Sequence, residues 1–251
     1  MEYVLITGGT SGIGFELARC FARGNYGVII VSSNKERLSV AKNNLENDYK
    51  VPILIFEQDL SKVGAASELY NKIRTSGINV DVLVNNAGYG LVGPTETIDL
   101  QEDENLMMLN VVSLVELSKL FLSDMYKSGS GKILNVASIG AFQPGPYTAT
   151  YCASKAFVLS YSRAIRYEVK KSGVQICVLC PGETRTNFFS REGLQTPRNA
   201  MSAEDVAQYA YKRLIANKEI SISGIYNRIT KVLPVKLKMA HIAKKKNHDC
   251  K

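Results

Sequence analysis

The stretch Tyr3-Val4-Leu5-Ile6-Thr7-Gly8-Gly9-Thr10-Ser11-Gly12-Ile13-Gly14 opens the chain and decides how the rest is read. The apolar, β-branched residues 3–7 predict a buried strand. Glycines at 8, 12 and 14 predict a tight turn, and residues 12–24 carry apolar positions at helical spacing. A strand, a glycine-rich turn and a helix start, in that order, form a cradle for an anion. Glycine lets the backbone approach a phosphate closely, and the helix presents free N–H groups and the positive end of its dipole. Gly8, Thr10, Ser11, Gly12, Ile13 and Gly14 are therefore candidate diphosphate contacts. The spacing is G-x3-G-x-G rather than G-x-G-x-x-G, and no Lys-Ser/Thr pair follows, which disfavours a triphosphate-binding loop.

The same alternation continues outward. Further strands are expected at 28–32, 53–58, 80–85, 132–137 and 174–180, and helices at 35–47, 64–76, 102–127 and 152–171. Most of the strands are apolar throughout, as when helices cover both faces of a sheet. Six β-α repeats predict an α/β fold with a doubly wound parallel, Rossmann-like sheet in a single domain. That catalytic domain is expected to span 1–226. It includes a polar lid loop at 183–200 with Phe188, Phe189 and Leu194, and a last helix at 202–217 that Ser202 caps. Residues 227–251 read as a basic amphipathic C-terminal extension.

The 251 residues are 45% hydrophobic and 22% charged, ordinary for a soluble globular chain. No uninterrupted apolar run reaches the roughly 18 residues a membrane helix needs. The N-terminus lacks the charged start and apolar core of a signal peptide, so a cytoplasmic location is the expectation. Both histidines, His241 and His248, fall in the last eleven residues. A Ser-His-Asp hydrolase or a His-ligated zinc site in the body is thereby disfavoured. Cys177 and Cys180 spell C-x-x-C within a predicted strand, where residues three apart point to opposite faces and cannot share a metal; no metal is expected.

The net charge of +8 is a property of the tail. Residues 228–251 hold eight basic residues against one acid, Asp249, so the charge is no sign of nucleic-acid binding. In the tail Ile229, Val232, Leu233, Val235, Leu237, Met239 and Ile242 interleave with Lys231, Lys236, Lys238 and Lys244–Lys246. Three readings stand: apolar residues packed on the body with the lysines in water, peripheral contact with an anionic membrane, or docking of an acidic carrier protein.

Two further motifs carry chemistry. Asn86, Ala87 and Gly88 follow the fourth strand, where small residues let a ligand lie across the strand ends. Tyr151-x3-Lys155 places an ammonium near a phenol on one helix face. The charge favours the phenolate and lowers a pKa that starts near 10, making Tyr151 a usable acid/base. Tyr167 and Lys171 repeat this spacing, and a Ser stands thirteen residues before each Tyr: Ser138 and Ser154. Ser138 follows a predicted strand end. Ser154 lies on the predicted helix of Tyr167, about 20 Å along its axis, so the second set cannot assemble.

Thr7–Gly14, Asn85–Gly88, Asn110, Ser138, Tyr151-x3-Lys155 and Pro181-Gly182 together resemble the classical short-chain dehydrogenase/reductase family, over roughly residues 3–225. The stretches around 134–138, 142–146 and 180–189 look like a bacterial branch related to ketoacyl and hydroxysteroid reductases. The resemblance implies hydride transfer between NADP(H) or NAD(H) and a carbonyl or secondary alcohol. It implies Tyr151 as general acid/base, Ser138 as hydrogen-bond partner of the substrate oxygen, and Lys155 on the nicotinamide ribose. By the same resemblance Asn110 is expected to hold a water in a proton relay. Pro181, Gly182, Thr184 and Thr186 contact the nicotinamide side, with Thr186 on its carboxamide, and Asp59 contacts adenine. No acid ends the second strand, and Ser33, Asn34 and Lys35 could donate to a 2′-phosphate, so NADP(H) is favoured over NAD(H). Relatives often form dimers or tetramers through the two long helices. The substrate is a small molecule, apolar if the lid aromatics face it. Two rivals remain: a non-catalytic nucleotide-binding regulatory protein on the same scaffold, and a sugar-nucleotide epimerase or dehydratase.

Overall fold

The computed structural model describes residues 1–188, 195–230 and 234–249. Phe189, Leu194, Lys231, Val232 and Leu233 lie outside the described residues, as do the side chains of Ile229, Lys245 and Lys246.

Six strands form where the apolar runs predict them: β1 (Tyr3–Thr7), β2 (Gly27–Ser32), β3 (Ile53–Glu57), β4 (Val82–Asn85), β5 (Gly131–Val136) and β6 (Val174–Cys180). Beyond a short ribbon of β7 (Thr184–Arg185) and β8 (Met201–Ser202), a further strand β9 (Ile220–Ile222) joins the edge. The parallel sheet runs β3-β2-β1-β4-β5-β6-β9. β9 was not anticipated. Ile220-Ser221-Ile222 is too short to show a period, and it is held by pairing along Val178–Cys180.

Alternate residues of β1 serve opposite faces. Val4 and Ile6 pack with Leu17 and Phe21 of α1 (Gly12–Arg23) and Leu38 of α2 (Lys35–Asp48). Leu5 packs with Leu69 of α3 (Ala65–Thr75). On that second face, α4 (Leu100–Met107) leads through one π-type turn, Met108–Val112, into α5 (Ser113–Ser128), and α6 (Ala149–Glu168) lies alongside. The first face is completed by α7 (Ala203–Ile215), which Ser202 caps by accepting from Asp205 N at 3.0 Å, as expected. Cys177 belongs to the first face and Cys180 to a separate cluster with Val158 and Ile222, so their side chains point apart.

Two expectations change. The single helix at 102–127 is interrupted at Asn110, whose amide bonds outside the helix. Leu100–Ser128 also contains an 18-residue window of mean hydropathy 1.6, long and apolar enough to cross a bilayer by length and composition. Asn, Ser, Glu and Lys punctuate the window, so no uninterrupted apolar run marks it in the sequence. In the fold 44% of that window is buried, with Leu117 and Phe121 against the sheet.

The tail forms α8 (Ile225–Thr230) and α9 (Val235–Asp249). α9 does not sort its residues as an amphipathic helix would: Lys238 is buried and Leu237 is 64% exposed. Tertiary contact, not residue polarity, sets which side of α9 faces the body.

Candidate active site

A cleft of about 380 Å³ crosses the carboxyl ends of β1, β4, β5 and β6, where the strand order reverses beside β1. Ligands bind at this switch point in doubly wound sheets.

At one end lie Gly8, Thr10, Ser11, Gly12 and Ile13. Gly8 and Gly12 have φ of 65° and 55°, the left-handed region, and a Cβ on Gly12 would come within 2.8 Å of Thr186 Cγ2. Ser11 caps α1 without using its side chain, and the first turn carries no acid. This open, unopposed helix N-terminus fits a diphosphate. Gly14 does not line the cleft. It packs behind the turn, where a Cβ would stand 2.4 Å from Gly8 O and Asn86 Nδ2.

The turn is tied to the end of β4 by Thr7, the last residue of β1. Thr7 Oγ1 accepts from Asn86 N and Ala87 N, both at 3.0 Å. Asn86 Nδ2 donates to Thr7 O at 3.0 Å and Gly8 O at 3.1 Å, so its side chain holds the turn while Asn86, Ala87 and Gly88 line the cleft.

Ser32, Ser33 and Asp59 line the same end. Asn34 does not, contrary to expectation. Its Oδ1 caps α2 by accepting from Arg37 N at 2.7 Å, the role for which Asn is favoured at this position. Lys35 begins that helix and is likewise absent from the cleft wall.

At the other end stand Ser138, Tyr151 and Lys155. Ser138 Oγ accepts from Gly140 N at 3.0 Å and starts a 3₁₀ turn, Ile139–Phe142. Lys155 Nζ donates to Val136 O at 3.0 Å and lies 5.8 Å from the Tyr151 ring centre. Burial pushes the Lys155 ammonium down to about 8. Gly88 makes room for it, since a Cβ there would stand 2.7 Å from Asn110 Oδ1 and 3.3 Å from Lys155 Nζ.

Asn110 is buried and outside the cleft wall. Its Oδ1 accepts from Tyr89 N at 3.2 Å, and its Nδ2 donates to Tyr89 O at 2.9 Å and Ser154 Oγ at 3.2 Å. The repeated set falls apart as expected: Tyr167 is 71% exposed with Lys170 over its ring, while Ser154 is buried.

Pro181, Gly182, Thr184 and Thr186, expected on the nicotinamide side, line this cleft. Thr184 Oγ1 donates to Gly182 O at 2.9 Å, and Thr186 Oγ1 accepts from Phe188 N at 3.2 Å. Phe188 lies 5.5 Å from the Tyr151 ring centre. Gln143, Cys152, Glu183, Asn187 and Ile242 also line the cleft. Gln143, Glu183 and Asn187 fall within the stretches that carry the resemblance, whereas Cys152 and Ile242 carry no motif, and Ile242 lies 87 residues beyond Lys155, so no local signal could have placed it.

A nucleotide cradle ending at a buried lysine beneath a phenol and a serine hydroxyl is built for proton and hydride exchange at a CH–OH or C=O group. Residues 2–196 match the short chain dehydrogenase family, and the chain belongs to it, as an NAD(P)-dependent oxidoreductase of carbonyl and alcohol groups. Ketoacyl reductase HetN of Nostoc is 30% identical over 230 residues, 92% of this chain and 77% of that protein. The very-long-chain 3-oxoacyl-CoA reductase of Rattus norvegicus is 30% identical over 244 residues, 93% of this chain and 76% of the relative. A short-chain dehydrogenase from Sphingobium yanoikuyae in complex with NADPH superposes with TM-score 0.85 at 26% identity, over 98% of this chain and 94% of that one. The bulky-bulky ketone specific alcohol dehydrogenase of Comamonas testosteroni gives TM-score 0.82 at 26% identity, over 96% and 92%.

Proposed function

We propose that this protein reduces a ketone on an apolar skeleton, using NADPH, with Tyr151 as proton donor. The observation that carries the reading is one continuous cleft joining the glycine turn to Ser138, Tyr151 and the buried Lys155. Ser138 donates a hydrogen bond to the carbonyl oxygen and holds it beside the phenol. Tyr151 passes its proton to that oxygen as negative charge develops there, and the nearby Lys155 ammonium favours the phenolate left behind. The bound nicotinamide supplies the hydride, and the protein orients it. Gly8, Thr10, Ser11, Gly12 and Ile13 would hold its diphosphate, Lys155 the ribose, Thr186 the carboxamide and Asp59 the adenine end. Asn110 acts through Tyr89 and Ser154, tying the loop after β4 to the turn of α6 that precedes Lys155.

Three features support the finer choices. β2 ends at Ser32, followed by Ser33, with no acid to repel a 2′-phosphate, and the Sphingobium protein carries NADPH. Ile139, Phe188 and Ile242 give the substrate half an apolar lining. The relatives' names describe ketoacyl, 3-oxoacyl-CoA and bulky ketone substrates. The test is a panel of ketones and alcohols with NADPH and NADH. Reduction of bulky apolar ketones with NADPH is expected. Cofactor binding without turnover of any member would overturn the reading in favour of a non-catalytic nucleotide-binding protein.

A further inference from the structure

Among the described residues beyond Phe188, Ile242 alone lines the cleft. It stands on α9, a helix that begins directly after Pro234, whose carbonyl accepts from Lys238 N at 3.2 Å. Lys238 and Ile242 are four residues apart and share one helix face. That face is turned to the body. Lys238 is 8% exposed, and its Nζ donates to Phe142 O at 3.3 Å.

The acceptor is informative. Phe142 closes the 3₁₀ turn Ile139–Phe142, whose first residue follows Ser138. Carbonyls at the end of a helical turn lack donors within it, and here one is met by a lysine 96 residues away. The next residue, Gln143, and the first of the turn, Ile139, both line the cleft with Ile242. One hydrogen bond therefore joins the turn that carries Ser138 to the helix that carries Ile242. Burying a lysine is costly unless its ammonium is bonded, so the contact defines which face of α9 lies inward even though Leu237 is left in solvent.

We propose that α9 is the outer wall of the substrate chamber, latched through Lys238 to Phe142, and that Ile242 sets how large an apolar substituent the site accepts. This rests on the ketone-reductase reading above. Ile242 is a specificity-determining residue, and Lys238 is a positioning residue that acts through it.

The test compares benzophenone with 2-butanone in the full-length protein. Ile242→Ala should raise the benzophenone to 2-butanone ratio of kcat/KM about tenfold, the usual effect of freeing a few methyl-sized volumes in an apolar pocket. Ile242→Phe should lower it. Lys238→Met keeps the aliphatic stem and loses the donor. By releasing the wall it should raise the benzophenone to 2-butanone ratio of kcat/KM in the direction of Ile242→Ala, through KM with kcat within twofold, and Lys238→Arg should restore most of the parent ratio. The NADPH Kd should stay unchanged in all four. Binding of benzhydrol to the NADPH-loaded protein, read by cofactor fluorescence, provides a measure that needs no turnover. It should tighten in Ile242→Ala and weaken in Ile242→Phe. An unaltered ratio with unaltered benzhydrol binding in both Ile242 variants overturns the proposal, as does absence of benzhydrol binding throughout. If neither ketone is reduced while benzhydrol binding still follows residue 242, the function reading fails and the wall stands.

Discussion

Asn110 Nδ2 donates to Ser154 Oγ at 3.2 Å, which joins the π-type turn to α6 at the residue immediately before Lys155. Ser154 in turn donates to Tyr151 O at 2.7 Å. The serine that belongs to the unproductive repeat of the motif is thus a strut of the productive one. Ser154→Ala should destabilise the fold by about 1 kcal/mol, the worth of an ordinary buried hydrogen bond, measured by urea unfolding. In steady-state assays kcat should fall less than tenfold. No change in either quantity would remove the strut.

Tyr151→Phe keeps the ring and its contact with Phe188 but removes the transferable proton. Turnover should drop at least about 10²-fold, the range typical of general acid catalysis. Tyr167→Phe, at a 71% exposed position, should leave turnover within twofold of the parent protein. Parent-like activity in the Tyr151 variant would exclude it as proton donor.

Lys155 gives a pH signature. Burial holds it at about 8, below its ordinary 10.5. Between these values the unfolded chain binds more protons than the folded one, so stability from this group rises with pH. The burial cost is fully present below pH 8 and fades toward pH 10.5, a change of about 3 kcal/mol. In the protein without cofactor, the stability difference between parent and Lys155→Met should shift toward the parent over that window. kcat/KM for ketone reduction should fall as pH rises through about 8, where the ammonium loses its charge. A flat stability difference from pH 7 to 10 would contradict the assignment.

Cofactor choice is readable at Ser32 and Ser33. Ser33→Arg adds a planar donor for a phosphate and should raise the NADPH to NADH ratio of kcat/KM about tenfold. Ser32→Asp places a carboxylate near the 2′-phosphate and should lower it comparably. A native preference for NADH of tenfold or more would reverse the cofactor proposal.

The elements that build the cleft floor were legible because their causes are local. Steric demand puts glycine at 8 and 12, and apolar runs mark strands covered on both sides. A four-residue spacing on one helix brings Lys155 to Tyr151. The strand end before Ser138, and the length of helix between Ser154 and Tyr167, separated the two serines as candidates. Local signals also misled: Asn34 has the right position for a phosphate contact, yet a helix that starts one residue later claims its side chain. Ile220-Ser221-Ile222 was too short to announce itself as a strand.

The sequence alone therefore determined the class of fold, the glycine turn and the grouping of Ser138, Tyr151 and Lys155, since each depends on neighbours within a few residues or on strand order. Only the tertiary structure decided that Thr7 stitches β1 to β4 across 79 residues, that Asn110 is spent on Tyr89 and Ser154, and that Lys238 reaches Phe142. It also turned Ile242 into the cleft while leaving Leu237 outside. Such contacts join positions far apart in the chain, and polarity cannot foretell them. They follow from which surfaces the packed sheet and helices bring within bonding distance.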